Sequence, residues 1–412
     1  MPKTAHIAAI LNGLSGVIVG PATALVSAVW FPRGERTTAT GVSAAFNQLG
    51  MALSYLIGPA VVGTPYRNNS MVPGPASNDD ERNRRKHSIH SLTKISFFTG
   101  NHIPKAPENS TADPMILRLQ IMSLMRIEFV AQFLVLLGVL WVFPKQPSQP
   151  VEASAVSPTS FGVLESIQRL FQNRSMWCLC LAAALSQGVT GPWLAMITMA
   201  FGTAVSQDEA DKLAFWTIVF SSVLSLTASR VMDIFQGHLK VAIYVLLLAS
   251  SAMFLWVLLL DNRILVFHKD ELYTAVILGI AASWSTPALF LELASEIAYP
   301  VSEAIVGGYM IFLANAIGTL FYFSYFVPGM GEHWSSYCVF GNLTVAAILV
   351  MYVKDEYNRT KMDISRTSYA YPLTETEYHW ILREMHKKRV NEKRRKREAS
   401  SGNKKCINNC LD

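Results

Sequence analysis

"WFPRGERTTATGVSAAFNQLG", residues 30–50, sets Arg33, Glu35 and Arg36 between two stretches that carry almost no charge. A helix needs about 20 mostly apolar residues to cross a bilayer, and 7–30 and 38–63, on either side of this hinge, are runs of that kind. Similar runs follow at 116–143, 176–200, 212–231, 240–260, 272–294, 304–327 and 336–353. They are too long for barrel strands and lack strict alternation, which leaves helices as the only spanning structure. The hinge therefore predicts the fold class: an all-α polytopic membrane protein with about nine transmembrane helices.

Composition agrees. Hydrophobic residues make up 51% of the 412 and charged residues only 16%, a balance foreign to soluble globular chains. Residues 354–412 hold 15 Lys and Arg against 9 Asp and Glu, a surplus equal to the net charge of +6, so the basic character belongs to the tail. Cys178, Cys180 and Cys338 lie in apolar runs and Cys406 and Cys410 at the end of the chain, which gives no disulfide framework. No Gly-rich loop followed by Lys and Ser/Thr, no histidine pair at metal spacing and no Gly-x-Ser-x-Gly elbow occurs, so no enzyme chemistry, cofactor or metal is expected. In a chain with this many spans, "KRRKR" at 393–397 is no argument for nucleic acid or nuclear import.

Basic residues orient membrane proteins by gathering on the cytosolic side. The tail is the strongest cluster; placing it in the cytosol also puts "FPRGER", the 144–175 loop and "SRVMDIFQGHLK" inside. Residues 64–115 then face the lumen. They include "ERNRRKHSIH", but their length is near the limit of the rule, and they carry glycosylation sequons at Asn68 and Asn109. The predicted divisions are 1–143, three spans ending an N-terminal bundle, with a disordered loop at 64–115; 144–175, a linker rich in Pro and Ser up to about 160; 176–353, a six-helix bundle; and 354–412, the basic tail. Within the tail, Thr374 to Glu377 form a capping box, and Tyr378, Ile381, Leu382 and Met385 share one helix face. A basic amphipathic helix of this kind is expected to bind anionic lipid.

Three spans, a linker and six spans fit the end of a 6+6 transporter. "WFPRGERTTATG", "MRIEFVAQFLVLLGVLWVFP", "DEADKLAFWTIVFSSVLSLTASRVMDIFQGHLK" and "LFLELASEIAYPVSEAIVGG" resemble the major facilitator superfamily and, within it, solute carrier family 49, over residues 7 to 360. The resemblance implies a major-facilitator fold that begins at the fourth span, lacking about the first three helices. It also implies a lysosomal membrane location and proton-driven export of a pyridoxine-like vitamin. "FNQLG" at 46–50 looks more like the choline and heme branch, in which this Gln contributes to the substrate cavity. That leaves choline, ethanolamine or heme transport at the plasma membrane as an alternative, and a non-transporting scaffold as another. Small organic solute, protons and anionic lipid are the expected partners.

Individual residues supply candidates. Glu128 lies about a dozen residues into the third span beside Arg126; an ionisable group at that depth is either a proton carrier or half of a compensated pair. Gln48 needs a partner other than lipid, either a neighbouring helix or a substrate. "SQGVTGPW" places Gln187, two glycines and Pro192 before Trp193, the composition of a helix broken where it lines a cavity, with an aromatic face for a ring or quaternary cation. Asn315 in "FLANAIG" is a further substrate candidate. Glu292 and Glu296 stand one turn apart before Pro300, with Arg230 and Asp233 in the neighbouring loop; these four either snorkel to water or form a gate of ion pairs.

Overall fold

The computed structural model describes residues 2–32, 34–62, 114–142, 162–201, 205–327 and 333–367. The sequons, most of the 64–115 loop, the first part of the linker and the amphipathic stretch of the tail lie outside them. Residues 1–362 form one compact unit; of the second, 363–412, only the start is described.

Every predicted span is helical. The elements are α1 (Pro2–Trp30), α2 (Arg36–Val61), α3 (Pro114–Val142), α4 (Val163–Gln172), α5 (Arg174–Ala195), α6 (Ile197–Phe201), α7 (Gln207–Ile234), α8 (Leu239–Asp261), α9 (Lys269–Trp284), α10 (Pro287–Ala298), α11 (Glu303–Ser324), α12 (Trp334–Met351) and α13 (Asn358–Thr367). Among the described residues there is no strand. Seven spans meet a length and hydropathy threshold for crossing a membrane: α3, α5, α7, α8, α9 with α10, α11 and α12. Of α1, Val19–Trp30 counts as a shorter apolar helix among the described residues, and α2 falls below the threshold because Thr, Ser, Asn and Gln interrupt its apolar residues. The protein is an all-α polytopic membrane protein.

Two helix boundaries differ from expectation. α7 begins five residues earlier than its apolar run, because Ser206 and Glu209 close a reciprocal capping box over its first turn. The break expected around Gly188–Pro192 is absent: α5 runs unbroken to Ala195. Pro192 stands only three residues from that end, so the hydrogen bond it lacks falls in the last turn. The break occurs instead in the seventh span, at Ser285 and Thr286.

One apolar core joins α5 to α12 and includes Leu179, Ile218, Leu247, Phe254, Leu289 and Leu343. The N-terminal helices attach to it differently. α1 packs on α11 and α2 on α7, and among the described residues these two helices bury mostly small or polar ones: Pro21, Ala24, Ser27 and Ala28 from α1, and Arg36, Thr37, Thr40, Gly41, Ala45, Gln48 and Ala52 from α2, with Val61 the larger apolar exception. Little large apolar surface is lost when such a seam parts. α3 leans chiefly on α2, and its apolar residues, such as Phe129, Leu134 and Trp141, are exposed.

Candidate functional site

The first four N–H groups of a helix have no partner within it. At α2 the N-cap Glu35 makes no side-chain cap bond. The cap comes from another helix: the carboxylate of Asp233, near the end of α7, accepts from the backbone N–H of Thr37 at 3.2 Å and of Thr38 at 2.7 Å. A buried anion on the positive end of a helix dipole is a strong, directional contact. It joins the N-terminal helices to the six-helix bundle.

Behind it lies a second buried charge. Lys240 donates to the carbonyls of Met351 and Val353, and Lys354 N–H donates to Ser175 Oγ, which fixes the chain as it leaves α12. α13 then inserts Arg359, 1% exposed, among three carboxylates. Its guanidinium donates to Glu292, to Glu296 at 3.4 Å and to Glu303 at 3.5 Å. Thr360 binds Glu296 through its N–H at 2.9 Å and its hydroxyl at 2.7 Å. Arg36, also 1% exposed, and Asp233 lie close enough for their charges to act on Glu292. Of the four predicted gate residues, Asp233, Glu292 and Glu296 thus come together; Arg230 is exposed and stands outside the cluster. Arg359 and Arg36 are the cations that the sequence did not mark for this role.

A second polar layer surrounds the break between α9 and α10. Pro287 has no N–H to give, and Ser285 and Thr286 turn their hydroxyls back onto the carbonyls of Ala282 and Ser283. Two glutamines serve the carbonyls beside the break. Gln48 Nε2 donates to Trp284 O at 2.9 Å, and Gln187 Nε2 donates to Ser283 O at 3.0 Å and to Thr286 Oγ1 at 3.1 Å. Gln48 Oε1 accepts from Ser222 of α7, and Trp284 Nε1 donates to Thr190 of α5. Both ends of the buried Gln48 amide are therefore held by helices. Gln48 and Gln187, distant in sequence, meet at one place.

The other candidates lie elsewhere. Trp193 is fully buried in the bundle, edge-on to Phe254 and Phe201, with its Nε1 unpartnered. Asn315 is exposed on α11, its amide donating to Ile311 O one turn back. Glu128 is exposed on α3. Among the described residues no group of three or more His, Cys, Asp or Glu is placed to hold a metal ion.

Among the described residues the seams between the two helix sets are tightest at one end. A Cβ on Gly41 would lie 2.3 Å from Ser229 Oγ, and one on Gly20 would lie 2.3 Å from Ile311 Cδ1. Further along the same face of α1, one on Gly13 would meet nothing within 4 Å. The face of α2 that is buried from Thr37 to Ala52 is half-buried at Tyr55 and exposed at Pro59. On α11, the strip beyond Ile311 exposes Asn315, Thr319 and Tyr322. The tight end is the one that bears Arg36, Asp233 and Arg359.

No family model matches the chain. It is similar to the solute carrier family 49 member 4 homolog of Xenopus laevis, 27% identical over 365 residues that cover 87% of this chain and 72% of the relative. It is also similar to the human choline/ethanolamine transporter FLVCR2, 24% identical over 358 residues, covering 82% of this chain and 56% of that one. Among solved structures it is similar to the Escherichia coli fucose:proton symporter FucP, with a TM-score of 0.47 and 14% identity over 82% of this chain and 73% of that one, too weak a likeness to carry the fold. The multi-pass character rests on the helices themselves, and in sequence the chain is similar to proteins of solute carrier family 49.

Proposed function

We propose that the protein moves a small organic solute by alternating access, and that the arrangement described is the state closed at the Arg36–Asp233–Arg359 end. The observation that carries this reading is the pair of seams, locked by buried charge at one end and more loosely packed toward the other. Rigid-body rocking needs two helix sets that meet through separable contacts, and small, polar seams with ion pairs at their edge are of that kind. By the distribution of basic residues the locked end is cytosolic and the cleft opens to the lumen or exterior.

The solute we favour is a pyridoxine-like vitamin, exported from lysosomes with protons, because the chain is similar over 365 residues to a member 4 homolog of solute carrier family 49 and the sequence resemblance implies that activity. Glu128 is the proposed proton carrier, Gln48, Gln187, Trp193 and Asn315 the proposed solute contacts, and Arg230, Asp233, Glu292 and Glu296 the proposed gate, to which Arg359 is added. Choline or ethanolamine at the plasma membrane is the second reading. The name of FLVCR2 and the "FNQLG" motif at 46–50 favour it, and heme transport belongs to the same branch of the resemblance.

Uptake of labelled pyridoxine and labelled choline into vesicles at two pH values separates these readings. Pyridoxine flux that follows the proton gradient, and loses that dependence in Glu128→Gln, supports the first; choline flux indifferent to pH supports the second. Flux of both no greater than in empty membranes overturns transport and leaves a membrane scaffold. Endoglycosidase shifts that disappear in Asn68→Gln and Asn109→Gln test the orientation.

A further inference from the structure

α4 lies within the predicted linker, and its sequence, "VLESIQRLFQ", has three sides. At about 100° per residue, Val163, Leu164, Ile167 and Phe171 share one arc, while Glu165, Gln168, Arg169 and Gln172 share the opposite one. Ser166 and Leu170, between the arcs, are buried against the bundle. Most of the apolar arc is uncovered: Leu164 is 80% exposed, Val163 65% and Phe171 50%, while Ile167 is half-buried. The polar arc carries its own ion pair, Arg169 to Glu165 at 3.1 Å.

The level of this helix is fixed by its neighbours. Asn173 alone separates α4 from α5; its backbone is extended, and its side chain accepts from the N–H groups of Ser175 and Met176, capping the span that begins there. Trp177, in the first turn of that span, donates its Nε1 to Phe171 O at 2.9 Å. The Phe171 ring lies edge-on to Trp177 at 5.0 Å and to Tyr309 at 5.6 Å, and Tyr309 is in the second turn of the α11 span. Trp and Tyr gather where spans cross from acyl chains to headgroups. Phe171 belongs both to this girdle and to the apolar arc, so the arc continues the girdle sideways.

We propose that α4 is an interfacial anchor, lying in the plane of the bilayer with Val163, Leu164, Ile167 and Phe171 among the acyl chains and its polar arc in water. A ten-residue helix is marginal in water alone; an apolar face sunk in the headgroup boundary stabilises it. The inference does not depend on transport. It means that the linker between the two helix sets is held to the membrane at its far end.

Two measurements test it. In the full chain with its native cysteines replaced by serine and reconstituted in phosphatidylcholine nanodiscs, single spin labels at Val163→Cys and Gln172→Cys, half a revolution apart on the helix, are compared for collision with oxygen and with a nickel chelate. Oxygen is expected to dominate at 163 and the chelate at 172, a reversal of several-fold between the two faces. In the unaltered chain, vesicles containing an acyl-chain diazirine lipid should photolabel the 163–172 peptide on its apolar residues. Chelate dominance at both sites, or photolabelled spans with an unlabelled 163–172 peptide, overturns the proposal. Protection of both sites from both reagents in particles of twice the mass would assign the face to a second copy and also overturn it.

Discussion

Asp233→Asn tests the lock most directly. The carboxylate is 6% exposed and accepts from two N–H groups at the start of α2. Asparagine keeps one acceptor oxygen and presents an NH2 where the other stood, so one bond is lost together with the charge. A hydrogen bond to a charged group contributes roughly 1.5–3 kcal/mol, and an anion at a helix N-terminus adds about 0.3–2 kcal/mol. The closed state is therefore weakened by about 2–5 kcal/mol relative to a state in which the contact is already broken. At about 1.4 kcal/mol per decade, the ratio of closed to open falls by roughly 30- to 4000-fold. Spin labels at the exposed positions Glu35 and His238 flank the contact, and their distance distribution reads the ratio. A longer component should appear in the variant and be absent from Thr227→Ala, an exposed change earlier on α7. An unchanged distribution in Asp233→Asn, in protein that remains monodisperse and helical, would refute the argument that this capping bond holds the two helix sets together.

Arg359→Gln leaves three carboxylates facing one another and should lower stability by about 3–5 kcal/mol, read as thermal unfolding in detergent; adding Glu292→Gln should restore part of that loss. Gly188→Ala sets a methyl 2.5 Å from Ala314 O and 3.1 Å from Gly318 N, so α5 and α11 must separate, at a cost of about 1–3 kcal/mol in the same assay. Gly50→Ala, with nothing within 4 Å, should instead gain up to about 1 kcal/mol of helix propensity. Gln48→Leu strands the buried Trp284 carbonyl and should cost about 1–3 kcal/mol, more than the same change at exposed Asn47.

The spans were legible because a bilayer imposes a length and a polarity that any reader of the sequence can count. α8, "LKVAIYVLLLASSAMFLWVLLLD", needs no further argument. Asp233, Glu292 and Glu296 were legible as charges at helix ends, but their partners were not. Arg359 follows the last span in a stretch where an arginine is unremarkable, and its carboxylates lie 56 to 67 residues away in the chain. The break in the seventh span did leave a signal, Ser283, Ser285 and Thr286 before Pro287, which a count of apolar residues passes over. Gly188 and Pro192 drew attention to α5 instead, where glycine serves close packing on α11. α4 hid in the linker because ten residues are too few to register as a span, although its spacing is helical.

Two glutamines steady the same break, and they come from different sides of the seam. Gln187 belongs to the bundle that contains the break, so Ser283 O keeps its donor whichever way the halves lean. Gln48 rides on α2. If α2 moves off, as the proposed rocking requires, Trp284 O loses its only side-chain donor among the described residues. The separated state thus opens one hydrogen-bonding vacancy at a fixed address, together with a freed Gln48 amide opposite it. In that proposed state, a solute or water in the cleft would meet a complementary acceptor and donor, one on each side of the seam.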